Sequence, residues 1–119
     1  MLAALLLALA TAIGALSAHA FRARLTTDRY DVLQTAVHYQ FYHGLGLMGL
    51  GLLCDRLSLP WLSAAGWLVF AGVTLFSGSL YLLLAGAPRL VGVLTPLGGA
   101  ALIVGWCVCA VSLWRQRSR

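Results

Sequence analysis

The sequence predicts an all-α integral membrane protein, a four-helix bundle with short connections and an amphipathic lead-in to its second helix. Three observations carry that prediction. Of the 119 residues, 61% are hydrophobic and 9% are charged, against roughly a quarter charged in an average soluble domain. Eleven charged side chains cannot cover a soluble globule of this length, and the high apolar content excludes disorder, which needs low hydrophobicity and high charge. The apolar residues also gather into four uncharged or nearly uncharged stretches, each near the ~20 residues that cross a hydrocarbon core. A stretch of that kind must be helical in lipid, because every backbone polar group needs an internal partner.

The first helix is expected over about 2–20. Ala18-His19-Ala20 fits the small-x-small cleavage pattern of a signal peptide, but no basic residue precedes the apolar run, as the n-region of such a peptide would require. A retained helix is the reading adopted. Residues 21–36 form the longest connection. Thr26, Thr27 and Asp28 offer N-caps, and Asp31 falls near the positive end of a helix beginning there. Tyr30, Leu33, Ala36, Val37 and Phe41 recur at helical spacing. The segment is therefore read as an amphipathic lead-in, continuous with helix two and lying partly along the headgroups. Helix two proper is expected over about 37–54. Pro60 is placed to open helix three, expected over 61–85. Gly86-Ala87-Pro88-Arg89 reads as a tight turn, and helix four is expected over 90–114. All of 1–119 is then one transmembrane domain.

Charge flanks these segments. The basic residues are Arg22, Arg24, Arg29, Arg56, Arg89, Arg115, Arg117 and Arg119, and the acids are Asp28, Asp31 and Asp55. The net charge of +5 does not point to nucleic acid, because the arginines sit at segment ends rather than along one face; such residues anchor at lipid headgroups. Four crossings put both termini on one side. The arginines then divide equally between the two sides, so the positive-inside rule leaves orientation open. Trp61, Trp67, Trp114, Tyr39 and Tyr42 lie near segment ends, as interfacial aromatics do.

Small residues mark expected helix contacts. Ala10, Gly14 and Ala18 are spaced by four on helix one, helix two carries Gly44, Gly46, Gly49 and Gly51, and helix four carries Gly98, Gly99 and then Ala101 with Gly105. Lipid tails are as apolar as Leu, so helices associate where such residues let backbones approach. Internal packing of one bundle and docking of a second membrane protein or a second copy are both compatible with these faces.

Polar residues in so apolar a chain are informative. His19, Gln40, His43, Ser77, Ser79, Tyr81 and Thr95 all fall toward the side on which helix one ends, in a layer expected to reach from the interface to ~12 Å deep at ~1.5 Å per residue. They form either a small polar pocket or a set of donors and acceptors that satisfy one another. Specific chemistries fit poorly. Haem needs axial histidines facing across a helix gap; His38 and His43 are five residues apart and do not share a face. A metal site wants His with Cys or carboxylate, yet Cys54, Cys107 and Cys109 sit in the other half. Proton-coupled transport of the small multidrug resistance kind uses an embedded acid, and no crossing contains one. No Ser-His-acid set is in place for nucleophilic catalysis. No cofactor and no enzymatic activity are expected.

Five segments in order complete the reading: Gly14-Ala15-Leu16-Ser17-Ala18-His19-Ala20, Tyr39-Gln40-Phe41-Tyr42-His43, Phe76-Ser77-Gly78-Ser79-Leu80-Tyr81, Thr95-Pro96-Leu97-Gly98-Gly99 and Gly105-Trp106. Their order and spacing resemble the family called domain of unknown function 423, which includes YgdD-like bacterial inner-membrane proteins and relatives of transmembrane protein 256. The resemblance implies a small multi-helix membrane protein and supplies no reaction. The leading expectation is a non-enzymatic accessory protein of the cell inner membrane that packs against a larger membrane complex or itself. The alternative is a binding protein whose polar layer holds a lipid headgroup, a quinone or a haem, with Arg22 and Arg24 near a phosphate.

Overall fold

In the computed structural model, residues 1–117 are described, and Arg119 of the charge pattern lies outside them. The chain runs through four long helices, and no strand occurs among the described residues. Helix α1 (Leu2–Leu16) continues into a π-helical turn, Ser17–Phe21. Helix α2 spans Thr27–Arg56, α3 spans Pro60–Leu84, and α4 spans Leu94–Arg117. Each helix packs antiparallel to the next, α1 on α2, α2 on α3 and α3 on α4. The molecule measures 55 × 27 × 19 Å, so its long axis exceeds the ~30 Å hydrocarbon thickness and its ends reach the headgroups.

Three helical spans are long and apolar enough to cross a membrane: α1 with its π-helical turn (Leu2–Phe21), α3, and α4 with the 3₁₀ turn before it (Arg89–Arg117). Helix α2 does not qualify by composition, because His38, Tyr39, Gln40, Tyr42 and His43 lower the hydropathy of its uncharged stretch between Asp31 and Asp55. Its position decides its path. It lies antiparallel between α1 and α3, so it returns the chain across the layer that they span.

Helix two begins at Thr27, with Thr26 as an extended N-cap residue whose carbonyl accepts the Tyr30 amide at 2.9 Å. The lead-in is thus the first turns of one 30-residue helix. Leu33, Ala36 and Val37 are buried there, which holds these turns upright in the bundle, where headgroup-level packing was expected. At the other end of the chain, helix four begins at Leu94, later than the expected residue 90, because Arg89–Val93 forms a tighter 3₁₀ turn. Pro96 explains the delay. Proline lacks an amide hydrogen and is tolerated in the first turn of a helix, where amides have no partner, but not in the interior. Pro60 opens α3 as expected. Gly86 closes the intervening turn with φ +96°, the left-handed region in which a side chain is strained.

Helix α3 is the spine. Leu62, Ala65, Val69 and Val73 share one fully buried stripe, joined by Leu50 of α2 and by Leu102 and Cys109 of α4. Outside this core the surface is apolar, with Leu5, Leu9, Leu45, Leu52, Trp67 and Ile103 exposed. A soluble monomer rarely shows apolar patches on that scale; lipid accommodates them.

Candidate functional site

The structure gathers most of the predicted polar residues and pairs them with one another. Gln40 is the central node, 2% exposed. Its Nε2 donates to the Leu6 carbonyl of α1 at 2.8 Å, and its Oε1 accepts the Tyr81 hydroxyl of α3 at 2.8 Å. One side chain thereby ties three helices. Ser77 donates to the Ala36 carbonyl at 2.8 Å, a second link between α3 and α2. Ser79 and Thr95 are 2.7 Å apart and join α3 to α4. Ser79 also donates to the Phe76 carbonyl at 2.9 Å. A hydroxyl has one hydrogen, so Thr95 is the donor of that pair.

His43 and Trp106 connect α2 to α4, with indole Nε1 donating to imidazole Nδ1 at 3.1 Å. Indole can only donate, so Nδ1 carries no proton and the neutral ring holds its hydrogen on Nε2. Tyr39 stacks on Phe76 with ring centroids 4.3 Å apart, extending the aromatic seam beside this pair.

Because α2 starts ten residues before the expected boundary, the layer lies deeper than the sequence suggests. Gln40 sits about 20 Å along the axis from Thr27 at ~1.5 Å per residue, close to the middle of α2. His19 does not join it. The residue is exposed on the π-helical turn, and Ala18 beside it is exposed as well. Ser17 takes the inward position instead, 1% exposed, on the face of buried Ala10 seven residues earlier.

Two links escape the sequence reading. Gln34 donates to Ser17 Oγ at 2.8 Å, and Ser17 donates to the Gly14 carbonyl at 2.8 Å. Arg29 donates to the Leu84 carbonyl at 2.6 Å, placing a cation on the negative C-terminal end of α3. A helix spacing argument gave no reason to pair residues across elements. The buried Ser17 lies two residues before the candidate His19 and seven after buried Ala10, so helical spacing puts Ser17 on the Ala10 face and His19 opposite it.

Among the described residues, no buried side-chain nitrogen or oxygen lacks a partner. Each such bond contributes roughly 0.6–2 kcal/mol in a membrane bundle. The layer as it stands is chemically closed: its groups are bonded to one another rather than aimed into a cavity.

The small residues divide into packed and open ones. At Gly98 an added Cβ would stand 2.5 Å from the Phe76 amide nitrogen and 2.8 Å from the Gly72 carbonyl oxygen. At Gly105 it would stand 2.7 Å from Val69 Cγ2. Gly72, an isolated glycine in α3 that spacing did not single out, would meet the Leu102 amide nitrogen at 2.8 Å. These three let α3 and α4 cross backbone to backbone. Gly44 faces the flexible tip of Leu7 at 2.9 Å, whereas Gly14 and Gly99 make ordinary contacts at 3.4 Å or more. Gly49, Gly51, Gly66 and Gly78 have nothing within 4 Å of that position.

A family profile described as "Protein of unknown function (DUF423)" matches residues 13–99. The chain belongs to the DUF423 family. Four of the five recognised segments fall inside that match, and Gly105-Trp106 lies beyond it. The DUF423 chain is 42% identical over 105 residues to the UPF0382 membrane protein YwdK of Bacillus subtilis, covering 87% of this chain and 85% of that one. It is 40% identical over 114 residues to a UPF0382 membrane protein of Staphylococcus haemolyticus, covering 96% and 93%. A UPF0382 membrane protein of Staphylococcus epidermidis is 39% identical over 104 residues, covering 87% and 84%. No solved structure matches. The DUF423 chain is thus a helical membrane protein of a family of unknown function.

Proposed function

We propose that this DUF423 chain is a non-enzymatic accessory protein of the cell inner membrane, docking through an outward face of α2 onto another membrane protein or a second copy of itself. The observation that supports this most is the contrast between its two sets of groups. The interior polar layer is bonded to itself, while Leu45, Met48, Gly49 and Leu52 form one outward stripe at i, i+3, i+4, i+7 spacing, all exposed, with open space over Gly49. A glycine on a lipid-facing stripe contributes nothing to the chain's own packing, yet it lets a neighbouring helix approach. A ligand-binding role for the polar layer has less support, because His19 stands apart and no buried side-chain nitrogen or oxygen among the described residues lacks a partner.

The test is native electrophoresis of the protein extracted in mild detergent. Gly49→Leu adds bulk where nothing is touched, so the monomer should fold as before and the larger assembly should be lost. An assembly of unchanged mobility in Gly49→Leu would count against this face.

A further inference from the structure

The geometry points to an anionic glycerophospholipid site at the opposite end of the bundle, in the groove where the start of α3 meets the end of α4. Two sections of groove are continuous there. One, of about 270 Å³, is lined by Trp61, Cys107, Val108, Val111, Ser112 and Arg115 and runs into the apolar part of the bundle. The other, of about 350 Å³, opens toward the connection between α2 and α3 and adds Ser58, Leu59, Pro60 and Gln116. Trp61, Ser112 and Arg115 line both sections. Each is near the lower end of the ~300–1,000 Å³ usual for ligand sites.

The division matches an amphiphile. Val108, Val111, Cys107 and the Trp61 ring suit an acyl chain, and Ser112 adds no demand of its own because its hydroxyl is already bonded to the Val108 carbonyl at 2.7 Å. Arg115 suits a phosphate. It is exposed, makes no ion pair or hydrogen bond among the described residues, and stands at the junction of the apolar and polar sections. Its fork of donors binds phosphate oxygens in pairs. The groove sits at headgroup level, since Trp61 in its lining is exposed and Trp114 is exposed on the same last turns of α4, as interfacial aromatics are. No carboxylate lines either section, and Arg115 is the charged residue that does. Arg117 provides an internal comparison. It lies two residues on, about 200° around the helix at ~100° per residue, and lines neither section.

Native mass spectrometry of the full chain, with phosphatidylglycerol or phosphatidylcholine added to the detergent solution, tests the assignment. Phosphatidylglycerol should be retained in preference to phosphatidylcholine. Arg115→Ala should lower that retention about five-fold, the weight of one basic residue at an anionic surface, while Arg117→Ala should leave it unchanged. Val111→Trp, which fills the apolar section and keeps the charge, should also lower it; unchanged thermal unfolding of each variant shows that the fold is kept. Equal losses in Arg115→Ala and Arg117→Ala, no loss in Arg115→Ala, or unaltered retention in Val111→Trp would overturn the site. This outcome is independent of whether α2 docks a partner.

Discussion

Replacing Gln40 by leucine removes the node that ties α1, α2 and α3 while keeping side-chain volume close to native. Two bonds disappear, Nε2 to the Leu6 carbonyl and Tyr81 hydroxyl to Oε1. Interhelical bonds in membranes average about 0.6 kcal/mol by mutant cycle. The two ends differ in what remains. The Leu6 carbonyl keeps its place in the α1 backbone ladder, so it is not orphaned. The Tyr81 hydroxyl is left beside a methyl group, and an unsatisfied buried hydroxyl costs about 1–3 kcal/mol. Gln40→Leu should therefore destabilise the bundle by roughly 2–4 kcal/mol. Tyr81→Phe alone should cost less, and adding it to Gln40→Leu should restore part of the loss, because the orphaned group is then gone. Equilibrium unfolding in bicelles, read as a double-mutant cycle, measures all three variants. A Gln40→Leu protein as stable as the native one, or strictly additive losses in the double variant, would refute the account of Gln40 as a shared node.

Other perturbations follow from the same contacts. Gly98→Ala presses a methyl onto the Phe76 and Gly72 backbones and should cost about 1–3 kcal/mol or more by overpacking, whereas Gly44→Ala meets only the movable tip of Leu7 and should cost far less; thermal unfolding in detergent compares them. Trp106→Phe deletes the donor to His43 and should lower stability by about 0.6–1.7 kcal/mol. In an NMR spectrum of ring nitrogens, the same variant should shift His43 Nδ1 while leaving His19 unmoved.

The sequence carried the helical class, the membrane setting and the half of the chain that holds the polar groups, because composition and run length report those directly. It located Gln40, Ser77, Tyr81 and Thr95 as residues in need of partners without showing which pairs meet. That depends on register between helices, and spacing within one helix is silent about register. The start of α2 was legible in Thr26, Thr27 and Asp28 as N-caps, whereas the charge of Asp28, Arg29 and Asp31 suggested headgroup-level turns although Leu33, Ala36 and Val37 bury the opposite face. The start of α4 was placed four residues early by run length, although Pro96, which tolerates only a first-turn position, carried the signal for it. Ser17 and not His19 joins the interior because Ser17 shares the face of Ala10 by seven-residue spacing while His19 falls opposite, a signal that the greater polarity of His19 overshadowed. Gly72 went unmarked for a related reason: it stands alone in an apolar run, and only the approach of Gly98 and Leu102 from α4 shows why no side chain fits there.

The docking face of α2 is tested most directly in the intact membrane, by placing a photo-crosslinking side chain at Leu52 on the α2 stripe and, in a separate variant, at Ile103 on the exposed side of α4. Position 52 should give one discrete protein adduct of fixed mass, reduced when Gly49→Leu is combined with it, and position 103 should give lipid adducts alone. Lipid adducts alone from both positions, or the same protein adducts from both, would contradict it.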